Sequence, residues 1–289
     1  MHQYSNQIQC VAILPNPNAG NGKALMIAKR LSQRLIALNI EYTLFNNDWP
    51  SEQTLTNFSD AWIIGGDGTI NYFINKYPCC SLNLALFNAG TGNDFAWKLY
   101  GDANLKDRLN QVLNANPKPI DIGVVNEKLY INCMGIGFDG EIIQSMKSIR
   151  FLGGHLGYMV AVLIKILGFK SPTLTIQTAQ EKYTGKFLLA LFVNSSRAGG
   201  GFFIAPSAQV DDGQLDMVLC EALPIWKRLI YLPIIKKGKH LQLPFIKHQL
   251  GAKYSIAADK TLPIQVDGEL IFGKIINVSL HHHQFKFRY

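Results

Sequence analysis

Several features that would assign this chain of 289 residues to a class at once are absent. The five cysteines are odd in number and form no Cys-x-x-Cys pair, which argues against a disulfide framework and a zinc ribbon. No signal peptide is evident, and the most apolar later stretch, residues 158–169, is interrupted by Lys165. That stretch falls short of the roughly 20 residues of a membrane-spanning helix. We therefore expect a cytoplasmic protein, either soluble or peripheral at the inner membrane face.

Acidic residues are also scarce, so the formal net charge is +8. Residues 222–258 contain no Asp or Glu, while lysines and an arginine alternate with aliphatic and aromatic side chains. This texture is typical of a segment that lies on an anionic membrane surface. A solvated basic edge beside a core strand would explain the same residues. Nucleic acid is not an expected partner, because the basic residues are interleaved with apolar ones.

The first 125 residues repeat one pattern three times: a short apolar run, a glycine-rich turn and a stretch with helical periodicity. The apolar runs are residues 8–14, 61–64 and 82–87, and the turns are residues 16–23, 65–69 and 88–94. The alternation predicts a parallel sheet covered by helices, with all three turns at the carboxyl edge of the strands. Beyond residue 125 the pattern is mostly β, apart from a helix expected over residues 154–168. The domain boundary is expected between Asp121 and Lys128.

Glycine turns between strand and helix let backbone N–H groups approach a phosphate, which makes nucleotide binding the natural hypothesis. The P-loop pattern fails because Pro17 and Ala24 occupy required positions, and the Rossmann pattern fails because Leu25 replaces its third glycine. Each turn taken alone could be purely structural, since Asn, Asp and Gly are the best turn formers.

At these turns the chain resembles the diacylglycerol kinase catalytic-domain superfamily, which includes bacterial lipid kinases and the sphingosine and ceramide kinases. The motifs are Asn-Pro-x-Ala-Gly-x-Gly-Lys-Ala at 16–24, Gly-Gly-Asp-Gly-Thr at 65–69, Gly-Thr-Gly-Asn-Asp-Phe-Ala at 90–96, Ile-Asp-Ile-Gly at 120–123, Asn-Cys-Met-Gly-Ile-Gly-Phe-Asp at 132–139, Asp-Gly-x-Leu-Asp at 212–216 and Asp-Gly-Glu at 267–269. The likeness covers nearly the whole chain in order. NAD kinases share Gly-Gly-Asp-Gly, so that motif alone is only moderately specific.

The resemblance implies a phosphofructokinase-like, three-layer α/β nucleotide domain over residues 1–124, with the C-terminal residues as a candidate completion. It implies a β-sandwich-like, β-rich lipid-acceptor domain over residues 125–289, with ATP and the acceptor meeting in the cleft. The implied activity is ATP- and Mg²⁺-dependent phosphorylation of a lipid hydroxyl, with diacylglycerol, phosphatidylglycerol and sphingoid bases unranked as acceptors. An NAD kinase and a non-catalytic nucleotide- or lipid-sensing module are the alternatives, and a homodimer is an open expectation.

By the same resemblance, a set of loop residues should contact the nucleotide. They are Asn16, Pro17, Asn18, Ala19, Gly20, Gly22, Lys23, Gly65, Gly66, Asp67, Gly68, Thr69, Asn71, Thr91, Asn93 and Asp94, with Asn46 as the counterpart of a threonine found in some relatives. Lys23 is the one cation of the first loop, so it could neutralise phosphate charge or be an ordinary exposed lysine.

Carboxylates near phosphates would repel the ligand unless a cation lies between them, which makes Asp67, Asp94 and Asp121 candidate Mg²⁺ ligands. N-capping for Asp94 and a turn for Asp121 are the simpler explanations. We expect Asp67→Ala to leave the fold intact, because a turn carboxylate carries little core packing.

The resemblance implies a second, structural Mg²⁺ held by Asp212 and the backbone carbonyls of Gln209 and Gln214, although a tight Asp-Gly turn explains these residues without metal. It also places the general base in the Asp-Gly-Glu motif: Glu269, with Asp267 as the alternative, or a hairpin turn with no catalytic role. The run of histidines at 281–283 is not expected to bind metal, because strand alternation would place neighbouring side chains on opposite faces.

Overall fold

The computed structural model describes residues 8–46, 48–146 and 166–289. It divides into two compact units, Met1–Ile122 with His282–Tyr289, and Gly123–His281. Most of the helix expected over residues 154–168 lies outside the described residues. Among the described helices, none is long and apolar enough to cross a membrane.

The strands are β1 (Cys10–Pro15), β2 (Glu41–Leu44), β3 (Asp60–Gly65), β4 (Asn83–Asn88), β5 (Pro117–Val125), β6 (Lys128–Tyr130), β7 (Cys133–Gly137), β8 (Thr173–Gln177), β9 (Lys182–Val193), β10 (Leu215–Glu221), β11 (Ile246–Gly251), β12 (Lys253–Val266) and β13 (Glu269–Arg288). The helices are α1 (Lys23–Ala37), α2 (Glu52–Leu55), α3 (Asp67–Lys76), α4 (Asp94–Tyr100), α5 (Leu105–Asn114), α6 (Phe138–Met146) and α7 (Ile225–Lys236). The division between the two units falls within β5 and within β13.

The first unit is an α/β domain whose sheet runs β4-β3-β1-β2, with all neighbours parallel. Every residue of β3 is buried, as expected for a parallel strand covered on both faces. Helices α1, α3 and α4 follow β1, β3 and β4, so the three predicted strand, turn and helix repeats are confirmed. Because the strands are parallel, the three glycine turns lie at one edge of this sheet.

The C-terminal residues complete the first unit by adding the end of β13 beside β4 in a parallel pairing. Arg288 is fully buried there, and its guanidinium donates to the buried carboxylate of Asp60 and to the carbonyl of Ala115. Phe287 packs edge-on against Phe95 of α4, with ring centroids 5.6 Å apart. The strand before the third glycine turn and the helix after it are therefore both contacted by residues almost 200 positions further along the chain.

The second unit is β-rich and mainly antiparallel, with strand order β11-β10-β9-β7-β12-β13. Strand β8 pairs with β9 and β12, and β5 forms a hairpin with β6. Its core is built from the inward side chains of these strands, among them Tyr130, Ile136, Phe192 and Ile264. The α/β plus β-rich organisation predicted from the sequence is confirmed.

Candidate functional site

The three glycine turns of the first unit contact one another through their backbones. A Cβ added to Gly90 would lie 2.5 Å from the Cα of Gly66, and one added to Gly20 would lie 2.3 Å from the carbonyl oxygen of Ala89. The amide of Ala89 also donates to the carbonyl of Gly65 at 2.8 Å. Glycine is therefore required at these positions by the spacing of the loops as well as by turn geometry.

Polar side chains fix the turns further. The Asn16 amide donates to the Thr69 hydroxyl at 3.0 Å, which joins the first turn to the second. The Asn93 side chain bonds both the amide and the carbonyl of Gly90, at 3.1 and 2.7 Å, which closes the third turn on itself. Asn93 has φ +53°, and Gly20 and Gly22 also have positive φ. These residue types in left-handed conformations give a compact, preorganised set of loops.

The Asp67 carboxylate caps helix α4. It accepts the backbone N–H groups of Asp94 and Phe95, both at 3.0 Å, 27 and 28 residues along the chain. Both bonds are charge-assisted and lie at the positive end of the helix. The expectation that Asp67→Ala leaves the fold intact stays a prediction, but it omitted these two hydrogen bonds, through which the carboxylate joins the second turn to the third.

Several other residues predicted to contact the nucleotide differ in how exposed they are to solvent. Asn71 and Asp94 are buried at 1% and 2% exposure, whereas Lys23, Asn46 and Thr91 are exposed. Lys23 is the first residue of α1, directly after Gly22. A small cavity in this unit is lined by Ile63, Gly65, Gly66, Asp67, Ile70, Leu86, Asn88, Asn93 and Ala96. The second and third turns thus share a recess, while Lys23, Asn46 and Thr91 do not line it.

In the second unit, the Asp267 carboxylate is bound on several sides. It accepts the backbone N–H groups of Ile131, Asn132 and Cys133 at 2.6, 3.0 and 2.9 Å, while its own amide donates to the Cys133 carbonyl at 3.0 Å. Asp267 has φ +46°, a conformation that Asp tolerates better than most residues. Asp267 is an anchor for the turn between β12 and β13.

Glu269, two residues further on, has a different environment. Its side chain is half exposed and forms an ion pair with Lys128 at the start of β6. Sequence reasoning missed Lys128, and no local signal marks it, since the pair joins residues 141 positions apart. Of the two acidic residues in the motif, Glu269 is the more exposed.

Two further polar side chains of the second unit were not predicted. The side-chain oxygen Oε1 of Gln265 accepts the backbone N–H of Gly268 at 3.0 Å, so Gln265 also positions the turn. On α6, Asp139 is partly exposed as a residue, but its Oδ2 atom is buried; Oδ1 accepts the amide of Gly140 at 2.9 Å. Burial raises the pKa of the Asp139 carboxyl to about 7. Asp139 is the last residue of the sequence motif at 132–139, and its place in that motif is the one feature of the sequence that could have drawn attention to it.

The predicted structural Mg²⁺ site forms a turn. The Asp212 carboxylate accepts the amide of Gln214 at 3.0 Å, around Gly213 with φ +74°. Both Gln209 and Asp212 are exposed. The turn explanation accounts for this geometry, and the ion stays a prediction.

The histidine run departs from the alternation expected of a strand. His283 has φ +55°, and the rings of His282 and His283 stack with centroids 3.6 Å apart. The expectation that alternation separates neighbouring histidines is therefore wrong for this pair. His282 Nδ1 lies 2.7 Å from Oδ1 of Asp121, one of the predicted Mg²⁺ ligands.

Parallel strands that end in mutually packed glycine turns and helix N-termini are typical of enzymes that bind nucleotide phosphates. These features define the first unit as a nucleotide-binding α/β domain, which a β-rich unit follows in the chain. Residues 10–125 match the family model of the diacylglycerol kinase catalytic domain, and residues 132–277 match that of the YegS C-terminal NAD kinase beta sandwich-like domain. The chain belongs to the family of diacylglycerol kinases and YegS-type lipid kinases that these two models describe.

Curated relatives agree with this assignment. The chain is 29% identical over 226 residues to "Probable lipid kinase YegS-like" of Shewanella frigidimarina, covering 76% of this chain and 72% of that protein. It is 27% identical over 253 residues to a diacylglycerol kinase of Mycobacterium tuberculosis, covering 82% of both. A solved structure of a diacylglycerol kinase from Bacillus anthracis matches with TM-score 0.73 at 18% identity, covering 99% of this chain and 98% of that one. At that identity the structural likeness establishes the fold, and the family implies ATP as the phosphoryl donor.

Proposed function

We propose that this chain transfers the γ-phosphoryl group of ATP, with Mg²⁺, to a hydroxyl group of a membrane lipid. The observation that carries the proposal is the packing of the three glycine turns at one sheet edge. Phosphoryl transfer depends on positioning and charge neutralisation more than on covalent chemistry. Turns held backbone to backbone, as at Gly66 and Gly90, supply a rigid frame for phosphates.

The donor set of the first unit fits a nucleotide-bound Mg²⁺. Mg²⁺ prefers oxygen ligands and usually takes one or two protein carboxylates together with the phosphates and water. Asp94, buried at the N-terminus of α4, and Asp67, which caps that helix, are the carboxylates that would hold it. When bound, Mg²⁺ neutralises charge on the phosphates. Lys23, exposed at the start of α1, adds a cation near the first turn.

Glu269 is our choice for the general base that accepts the proton of the acceptor hydroxyl. Its side chain is half exposed, so a substrate can reach the carboxylate. The same carboxylate contacts the ammonium of Lys128. Asp267 already accepts three backbone N–H groups, which suits a residue that holds the turn in place. We assign Asp267 the positioning role and Glu269 the proton transfer.

The test is transfer of labelled phosphate from ATP, with Mg²⁺, onto a total lipid extract, with NAD as a parallel acceptor. Wild type should label a lipid, and Glu269→Gln should lose at least about a hundredfold in rate, the lower range for general-base catalysis. Glu181→Gln, an exposed glutamate in the turn between β8 and β9, is the matched control and should retain full activity. Labelling of NAD would identify an NAD kinase, whereas ATP binding without transfer to any acceptor would favour a binding module.

A membrane lipid can be reached only at the membrane surface, and helix α7 offers a face that could bind there. Helix α7 exposes a row of large apolar side chains: Ile225, Trp226, Leu229 and Ile230, with exposures of 42, 59, 47 and 56%. Their spacing puts them on one face of the helix. Lys236, Lys237 and Lys239 follow at its C-terminal end. An apolar face flanked by lysines is suited to an anionic membrane surface.

One basic residue of this segment has another role. The Arg228 guanidinium donates to the carbonyls of Leu223, Ile166 and Phe169, at 2.8, 3.0 and 3.0 Å. It therefore stabilises the base of α7, and we exclude it from the lipid-binding set.

Sedimentation with phosphatidylcholine vesicles, with and without phosphatidylglycerol, tests the docking face. Trp226→Ala with Leu229→Ser should weaken binding to both kinds of vesicle. Lys236, Lys237 and Lys239 replaced by Gln should weaken only the salt-sensitive binding to anionic vesicles. Ile36→Ser, 61% exposed on α1, is the matched control. Equal vesicle binding by wild type and all variants would contradict the docking face and support the alternative, a solvated basic edge.

A further inference from the structure

Three metal-ligating side chains converge in the first unit, one from the middle of β5 and two from the C-terminal part of β13. Asp121, His282 and His283 place one ligand atom each within 4.8 Å of the other two. The Asp121 side chain is fully buried, whereas His282 is half exposed. A buried carboxylate thus faces two exposed imidazoles.

A local backbone feature creates the cluster. In a regular strand His282 and His283 would point to opposite faces. His283 instead adopts φ +55°, a left-handed conformation disfavoured for residues with a Cβ. Its amide donates to Oδ1 of Asp121 at 2.8 Å, which holds this conformation in place. As a result both imidazoles lie on one side, stacked 3.6 Å apart with an interplanar angle of 26°.

The donor types distinguish among metals. Two imidazole nitrogens with one carboxylate oxygen suit Zn²⁺ and its neighbours in the first transition row, whereas Mg²⁺ prefers oxygen ligands alone. The backbone N–H bond to Asp121 is an outer contact of the kind that orients a ligating carboxylate. Three protein ligands leave at least one coordination position for water or another small ligand.

We propose that Asp121, His282 and His283 form a binding site for a divalent transition-metal ion, with Zn²⁺ as the ion to test first. Its ligands differ from Asp67 and Asp94, which we propose for the Mg²⁺ that accompanies ATP, and it gives Asp121 a different ion from the one expected from the sequence. It does not depend on the proposed lipid kinase activity.

The test uses the full chain without an affinity tag, stripped with chelator, and titrated with Zn²⁺ against a chromogenic indicator. Wild type should bind one tight equivalent, and His282→Ala and His283→Ala should each weaken binding by at least about tenfold, the lower end of the loss measured for outer contacts alone. His281→Ala is the matched control, since this neighbouring histidine lies outside the cluster, and its affinity should be unchanged. Circular dichroism should show the same fold for all three variants, because these side chains are exposed.

Spectroscopy with Cu²⁺ provides a second readout. The electron paramagnetic resonance spectrum of wild type should show coupling to two imidazole nitrogens, and each single variant should show one. Absence of a stoichiometric Zn²⁺ site in wild type would overturn the proposal. Equal weakening by His281→Ala, or displacement of Zn²⁺ by an excess of Mg²⁺ alone, would overturn it as well.

Discussion

Replacing Asp267 by Asn tests whether this residue anchors the turn or performs the chemistry. The substitution keeps the size of the side chain and its tolerance of positive φ, so any loss reports on the carboxylate. Oδ1 accepts two backbone N–H groups, from Asn132 and Cys133, and Oδ2 accepts one from Ile131. The introduced side-chain amide can keep its oxygen toward the N–H groups of Asn132 and Cys133. It must then turn its NH₂ group toward the N–H of Ile131, which loses its acceptor.

The cost follows from that geometry. A hydrogen bond to a charged acceptor contributes about 1.5–3 kcal/mol, and a buried N–H left unpaired costs a similar amount. With one bond lost and two weakened, we expect Asp267→Asn to lower the free energy of unfolding by about 2–4 kcal/mol. Glu269→Gln, which removes only a half-exposed ion pair, should cost less than about 1 kcal/mol.

Equilibrium urea unfolding of wild type and both variants measures these differences. A lower midpoint with an unchanged slope would attribute the loss to stability alone. Phosphoryl transfer by the folded fraction should fall at least about a hundredfold in Glu269→Gln and by a smaller factor in Asp267→Asn. If Asp267→Asn unfolds at the wild-type midpoint yet has no activity, the anchoring argument is refuted and Asp267 becomes the base.

Three further predictions follow from single contacts. Asp67→Ala should lower the unfolding free energy by about 1–2 kcal/mol through loss of the α4 cap as well as abolish transfer, and wild-type stability in a denaturant titration would contradict the capping role. Asp139, with a pKa of about 7 in the folded protein against 3.8 ordinarily, binds a proton more tightly when folded, so its contribution to stability falls as pH rises. The free energy of unfolding of wild type should therefore fall by about 3 kcal/mol between pH 5 and pH 8 because of this group, and Asp139→Asn should remove that fall. Parallel pH profiles of the unfolding free energy for the two proteins would contradict the burial of the carboxyl. Gly90→Ala should weaken ATP binding in calorimetry, because its methyl group would lie 2.5 Å from Gly66, and unchanged affinity would show that the turns do not need this spacing.

The sequence predicted what local patterns encode. Apolar residues 61–64 became the buried strand β3, and the helical spacing of Leu31 and Leu35 placed them on the buried face of α1. Contacts across long separations were not predictable, because periodicity carries no information about which distant residue a side chain meets. The pairing of Glu269 with Lys128 and the completion of the first unit by Arg288 belong to this group.

The acids of the motifs divide according to the atoms their carboxylates contact. Asp67 and Asp267 accept backbone N–H groups from residues far along the chain, which holds turns in register, whereas Glu269 contacts another side chain at the surface. Loss of activity after replacing Asp67 or Asp267 therefore cannot assign a chemical role, since a displaced turn and a missing proton acceptor both stop transfer. Stability separates the two cases: an anchoring acid lowers activity and unfolding free energy together, whereas a reacting acid lowers activity alone. On that criterion Glu269 is the acid of this set whose replacement should leave unfolding almost unchanged.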